Sequence, residues 1–339
     1  MLKDVGIETV NLYSAFVALS ILLMEKGGHI VAIIPRSFCN GPYYRPFREL
    51  LLSRCALQRI HLFESRGTAF KDDDVLQENV IIHLEVGGIQ GDVEITSSTD
   101  DRFHDLVSHS HVFERIVIPG DREKFIHVPS SSKKVGIEGT GIASFSLAEL
   151  GVKISTGPVV DFRLKQYLRA MPESGTAPLL YPAHFSGHGI AWPQEGIKKP
   201  NAMVRNSETE KWFYPTGFYC AVRRFSSKEE RRRVVACVVD PSGFSGAEVL
   251  GFENHLNVFH EARHGMSEHL AKGLAMYLNT TMVDEGFRQF SGHTQVNATD
   301  LKLMRYPSRE ALISLGKIAD SVGIEQEEID MAVLRVCGK

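Results

Sequence analysis

The sequence is short of several things, and each shortage narrows what it can be. Its 339 residues hold only five cysteines, Cys39, Cys55, Cys220, Cys237 and Cys337, scattered and odd in number. No two have metal-ligand spacing, so they read as reduced, mostly buried thiols of a cytoplasmic protein rather than a disulfide framework. Positive charge is not in excess. The formal net charge is −3, which removes the global basic signature of a nucleic-acid binder, although a local patch suffices to neutralise phosphates. No apolar run reaches the ~18 residues of a membrane span, and no charged-then-apolar leader opens the chain. There is no internal repeat, no G-x-G-x-x-G, no Walker pattern and no nucleophile elbow with a traceable His and Asp.

What is present is ordinary globular material: 43% hydrophobic and 23% charged residues, with length enough for two domains. The first 90 residues alternate between helical and strand patterns. Leu12, Phe16, Leu19, Leu22 and Leu23 have helical spacing, and Gly27–Gly28 end the run. Ile30 to Ile34 form an unbroken apolar stretch stopped by Pro35, as in a parallel strand covered on both faces. "YYRPFRELLLSRC" predicts a second helix, and "LQRIHLFE" and "NVIIHLE" two more strands. The fold class read from this is α/β, the back half of a doubly wound sheet. From about Gly91 the strands shorten, including "DVEITSS" and "RIVIPG", and "PSSSKKVGIEGTGIAS" reads as a solvated linker. A region rich in Gly, Pro and aromatics follows, closing with a helix near 267–281, and the tail reads as two small helices.

Three polar constellations stand out. "GFYCAVRRFSSKEERRRVVACVVD" carries Arg223, Arg224, Lys228, Arg231, Arg232 and Arg233 with Phe218, Tyr219 and Phe225 interleaved. Such a run suits a phosphate backbone, or a solvated turn paired with Glu229 and Glu230. "ENHLNVFHEARHG" groups Asn254, His255, Asn257, His260 and His264. His260 and His264 are four apart, as on one helix face, but no supporting ligand context surrounds them, and polar loop contacts are the better reading. "SGHTQVNATDL" lines up His293, Thr294, Gln295, Asn297 and Thr299. Asn and Gln pair bidentately with adenine in the major groove, while Asn297 or Thr299 equally suits a helix cap. The run Asp72–Asp74 reads as surface charge rather than a metal site.

Taken together, these segments resemble a family. "NLYSAF" before "EKGGHIVAIIPRSF", and above all "PRSFCNGPYYRPFRELLL" through "IHLFESRGTAFKDDDVLQENVIIHLE", are similar to gamma-class adenine-specific DNA methyltransferases of BsuBI/PstI-type restriction–modification systems. "GPVVDFR", "LLYPAHF", "GFYCAVRRFSSKEERRR", "FENHLNVFH" and "SGHTQVNATDLKLMRYPS" resemble that family's target recognition domain, in order, over roughly residues 8–310. The resemblance implies methyl transfer from S-adenosylmethionine to the exocyclic amine of a flipped adenine, without a metal. It implies double-stranded DNA as partner and a restriction endonuclease as genomic neighbour.

The sequence contains no Asn-Pro-Pro-Tyr or Asp-Pro-Pro-Tyr and no Gly-rich donor-binding turn, so no catalytic residue is carried over. The expectation is therefore a C-terminal portion: residues 1–130 as the back half of a Rossmann-like catalytic sheet, 146–310 as a mixed α+β recognition domain, and 311–339 as a small helical tail. By resemblance His293, Thr294, Gln295, Asn297 and Thr299 read the groove. Arg223, Arg224, Arg231, Arg232 and Arg233 hold backbone, Asn254, His255 and Asn257 add contacts, and Phe125 stacks on the flipped base. Methylation is expected only when a separate N-terminal half is supplied. Without the strand that carries the missing motif, Ile30–Ile34 exposes an unpaired edge. The alternatives are a DNA-binding specificity module without chemistry, an endonuclease fragment, and an inactive truncated product.

Overall fold

The computed structural model describes residues 11–63, 78–129, 142–226, 230–244, 246–291, 295–321 and 325–338, with positions 2 and 4. They fall into two compact units, one drawn from 1–134 with 288–293, the other from 135–287 with 294–339. Asp72–Asp74, Lys228, most of the linker, and His293 and Thr294 lie outside the described residues.

In the first unit, helix α1 (Leu12–Leu23) buries Val17, Ala18 and Ile21. The chain reverses at Gly27, whose φ of +84° is open to glycine at no steric cost. Strand β1 (His29–Pro35) follows, then α2 (Arg45–Arg54), β2 (Cys55–Phe63), β3 (Asn79–Val86), β4 (Val93–Ser98), β5 (Val107–His111) and a single helical turn, α3 (Phe113–Ile116). The sheet order is β1-β3-β2-β4-β5. β3 runs antiparallel to both β1 and β2, while β2 and β4 are parallel.

Two expectations need correction here. Ile30–Ile34 is not a parallel strand covered on both faces. It is an edge strand antiparallel to β3, with Ile30 and Ile34 buried and Val31 and Ile33 at 67% and 59% exposure. Side chains alternate across a strand, so a strand whose second face no described residue covers shows that face whatever its hydropathy. "RIVIPG" is not a strand either. Val117 N–H bonds the Phe113 carbonyl at 2.8 Å, closing α3 and burying Ile116 and Val117.

The second unit holds β6 (Lys153–Thr156), β7 (Leu168–Arg169), β8 (Thr176–Leu180), β9 (Phe185–Ser186), β10 (Gly189–Ile190), β11 (Ala202–Val204), β12 (Phe213–Pro215), β13 (Tyr219–Arg223), β14 (Ala236–Val239), β15 (Val249–Phe252) and β16 (Leu256–His260). One sheet runs β12-β15-β8-β11-β7, the other β14-β13-β16-β6, and β9 pairs with β10. One face of the second sheet, with Ala221, Cys237, Val239 and Val258, joins Leu250 and Phe252 of the first in one core. Its other face, with Cys220, Val222 and Phe259, is covered by helices α4 (Glu268–Leu278), α5 (Thr281–Phe290), α6 (Ala298–Leu303), α7 (Arg309–Ile318) and α8 (Gln326–Cys337). The segment expected as a small tail is part of this core through Leu312, Leu315, Ile329 and Val333. All five cysteines are free and four are buried, so the thiols pack as small hydrophobes. Among the described residues no helix is long and apolar enough to cross a membrane.

Candidate nucleic-acid interface

Three segments of the second unit meet at the exit of β13. The β15–β16 connection is a tight turn, Glu253–Asn254–His255, closed by Leu256 N–H to the Glu253 carbonyl at 3.0 Å. Arg224 N–H donates to the His255 carbonyl at 2.8 Å, and Val296 N–H donates to the Arg224 carbonyl at 2.7 Å. Phe225 and Gln295 bridge as an antiparallel pair. Backbone ladders thus fix all three segments, which makes the side chains they carry a preformed surface.

An aromatic pair forms the centre of that surface. The Phe225 ring, on a residue 41% exposed, lies 4.8 Å from the His255 imidazole, tilted by 43°. Arg224 sits over the same ring at 5.6 Å. Its Nη1 donates to the Asn254 carbonyl and its Nη2 to Gln295 Oε1, each at 3.2 Å. Beneath lies Glu253, at 0% exposure, its carboxylate turned to His255. Burial pushes that carboxyl up from its ordinary range, against the His255 hydrogen bonds. An exposed ring beside a guanidinium is a combination suited to nucleic acid, stacking a base or riding along a phosphate chain.

Of the residues expected from sequence, the structure brings Arg224, Asn254, His255 and Gln295 together here. Arg223 ends β13 and pairs with Glu230 at 2.6 Å, the solvated-turn arrangement, and Arg231 is exposed. Asn297 caps α6, its N–H and Nδ2 donating to Asp300 Oδ2 at 3.3 and 3.2 Å, and Thr299 is exposed on the same helix.

Four others are turned inward and are corrected. Arg233, 1% exposed, donates from Nε to Ser226 Oγ and lies over Phe287 at 5.6 Å. Arg232 spends its guanidinium on Gln326 Oε1 and the carbonyls of Val234 and Thr280. Asn257, at 0% exposure, donates to the Val296 carbonyl at 2.6 Å and accepts from Thr156 Oγ1. Each ties elements together: Arg233 and Asn257 are buried, and Arg232, half-buried, turns its guanidinium to internal partners. In the first unit, Phe125 is buried with Phe290 edge-on at 5.2 Å and Arg48 at 4.9 Å, leaving no face for a flipped base. His260 and His264 do not share a helix face. His264 pairs with Glu261 across a two-residue turn whose residues, Ala262 and Arg263, have φ of +49° and +69°, the backbone of a type I′ hairpin, and His260 is one position further back on β16.

Comparison with known proteins decides the family. The chain is 56% identical over 332 residues to type II methyltransferase M.BsuBI of Bacillus subtilis, across 97% of this chain and 66% of that protein. It is 43% identical over 332 residues to type II methyltransferase M.PstI of Providencia stuartii, across 97% of this chain and 65% of that one. The chain belongs to the BsuBI/PstI-type methyltransferase family. It spans just under two thirds of the length of these curated relatives. The model of the Eco57I restriction-modification methylase matches residues 3–70. Among solved structures, the type IIL restriction-modification enzyme MmeI, in complex with DNA, aligns with 96% of this chain and 48% of its own, at 11% identity and a TM-score of 0.47.

Two residues central to the surface of this methyltransferase-family chain were missed as site residues by reading its sequence. Phe225 is visible there only as one of several interleaved aromatics, and Glu253 gives no signal. Glu and His two apart are common on any surface, and only the turn between β15 and β16 makes one a buried base for the other.

Proposed function

We propose that this chain is the target-recognition and sheet-completing portion of an adenine-specific DNA methyltransferase. The 56% identity that runs through both units is the observation that carries the reading. In it the first unit is the back half of a Rossmann-like catalytic sheet, and the edge that β1 leaves open among the described residues supports a further strand beside it. The surface of Arg224, Phe225, Asn254, His255 and Gln295 grips the duplex, with exposed Arg231 adding charge. Domain bounds near 1–130 and 146–310 follow from the same reading, as does a restriction endonuclease encoded nearby.

The methyl donor of such enzymes is S-adenosylmethionine. The described residues of the first unit do not fit it: β1 runs into Arg36, whose Nη1 is already paired with buried Glu78 at 2.9 Å, and the glycine-rich turn that follows a strand there, Gly87, Gly88 and Gly91, joins β3 to β4 rather than opening a helix. No step is therefore routed through the donor by this chain. Its own contribution is to bind the duplex and hold it in register while the amine of a flipped adenine attacks the methyl group elsewhere.

The test is duplex binding by the full chain at rising salt, then methyl transfer from labelled donor after adding a polypeptide that covers the remaining third of M.BsuBI. The expected results are a linear fall of log affinity with log salt and label in DNA only in the complemented mixture. Salt-dependent binding with no label on complementation would favour a specificity module without chemistry. No binding at low salt would defeat the proposal.

A further inference from the structure

β16 lies between β13 and β6, so the Glu253–Asn254–His255 turn that enters it is flanked on two sides. Arg224 and Phe225 leave β13 along one flank, and the chain leaving β6 runs along the other. There Val159 N–H donates to the Phe252 carbonyl at 3.1 Å, and Asn254 N–H donates to the Val159 carbonyl at 2.9 Å. Gly157 is pressed so close that a Cβ on it would lie 2.2 Å from the Glu253 carbonyl oxygen. Past this contact the chain turns once, Arg163 N–H bonding the Val160 carbonyl and Leu164 N–H that of Asp161, each at 3.0 Å. Val159 and Leu164 are buried in one cluster with Leu179 and Tyr181, which anchors the turn at both ends.

The turn carries Phe162 and Arg163 outward. Phe162 is 62% exposed, and the Arg163 guanidinium lies 5.4 Å from the centre of its ring. Arg163 is exposed too, with no carboxylate partner among the described residues. Neighbouring Asp161 is taken by Lys199 at 2.9 Å, and Lys165 is exposed beyond it, so the flank is cationic. The composition repeats that of the first flank, where Arg224 lies 5.6 Å from the Phe225 ring. A single exposed ring is ordinary on any surface. A ring with an unpaired guanidinium, on a turn bonded to the same three residues as the first pair, is a second copy of the same device.

We propose that Phe162 and Arg163 form a second arm of the duplex grip and hold the sugar–phosphate chain. The Arg163 guanidinium takes a phosphate, and the open face of the Phe162 ring lies on the sugar beside it. The proposal rests on the reading of the β13-exit surface as a DNA grip. A guanidinium presents a planar fork of donors that matches two phosphate oxygens, and the ring beneath it limits the directions it can take. Phosphate and sugar are the same at every step, so this arm carries no sequence information. It fixes the register of the duplex against the side chains of the turn between the two arms.

The experiment uses the full chain and a fluorescent duplex pool with a randomised centre. Affinity is measured over a series of salt concentrations, and the bound duplexes are sequenced. Arg163→Gln is expected to lower the slope of log affinity against log salt by about one, and Arg163→Lys, which keeps the charge, to recover it. Phe162→Ala is expected to weaken binding about three- to tenfold at an unchanged slope, the loss of a small apolar contact. Both losses should fall evenly on all sequences of the pool. Lys317→Gln, on exposed α7 surface, removes the same charge from the helical layer and should leave the slope as it is. A wild-type slope in Arg163→Gln, or an equal fall in Lys317→Gln, overturns the phosphate contact. A changed sequence preference in either arm variant overturns the backbone role in favour of base readout. Duplex binding by wild type that neither variant weakens overturns the second arm alone. No binding by wild type at low salt overturns the DNA-grip reading as well.

Discussion

His260 shows how a single side chain can look functional in sequence and be structural in fact. It is 2% exposed. Arg263 N–H donates to its Nδ1 at 2.9 Å, so the ring proton is on Nε2, which donates to Ser155 Oγ at 2.9 Å. Burial, with Arg263 and Lys153 nearby, pushes its pKa down to about 4. The folded value lies below the unfolded one, so the stabilisation is full above about 6.5 and is lost as pH falls towards 4. Between pH 7 and pH 5 this removes on the order of 2 kcal/mol. Trp192 and Trp212 are the chain's two tryptophans and both lie in the second unit, so their fluorescence follows its unfolding in urea. The stability gap between wild type and His260→Gln should shrink by about that amount over the two pH values. A gap that stays constant would show that His260 carries no such linkage. The spacing of His260 from His264 was legible in sequence, but the left-handed turn that separates them was not, because neither Ala262 nor Arg263 favours it.

At the scale of elements, α4 and α7 cross at two glycines. A Cβ on Gly273 would lie 1.8 Å from the Leu312 carbonyl oxygen, and one on Gly316 would lie 1.8 Å from that of His269. Each helix is thus pressed against the other's backbone, where nothing flexible can yield. Alanine is the better helix former by about 1 kcal/mol, so propensity alone predicts stabilisation from Gly273→Ala or Gly316→Ala. The close approach predicts the reverse, a loss of about 1–3 kcal/mol or more from overpacking. Gly243→Ala, with nothing near its position, is the control and should be near neutral. Thermal melts of the three variants decide it, and stabilisation by either crossing substitution would refute the packing argument. Both helices were visible in the sequence as apolar periodicity. The crossing was not, because it depends on where α7 returns after α5 and α6.

At the scale of the whole molecule, each unit closes its own core, but among the described residues β1 leaves a ladder open. Val31 and Ile33 face outward beside an unpaired edge, and Leu12 and Phe16 of α1 are exposed at 76% and 66%. An apolar edge of this kind templates pairing with another chain. The purified chain is expected to self-associate in light scattering, and Val31→Lys with Ile33→Lys to restore monomers without lowering the melting temperature. A wild-type chain that stays monomeric at tens of micromolar would count against the open edge. The open edge is an expectation drawn from resemblance, and among the described residues β1 pairs with β3 alone. The antiparallel pairing with β3 was not legible in the sequence, because an apolar run has no direction until its neighbours are placed.

Local pattern by itself determined most of the elements, the reduced thiols and the family, because periodicity, turn residues and long motifs act over a few residues or survive as ordered strings. Tertiary structure alone decided which polar groups face outward. Arg231, Arg232 and Arg233 are consecutive, yet the first is exposed, the second is bonded to α8 and the third is sealed over Phe287. Asn254 and Asn257 differ as well: Asn257 is fully buried and bonded, whereas Asn254 is half-buried. A guanidinium or amide has the same chemistry in either place. Whether an internal carbonyl or water satisfies it depends on elements that return from far along the chain.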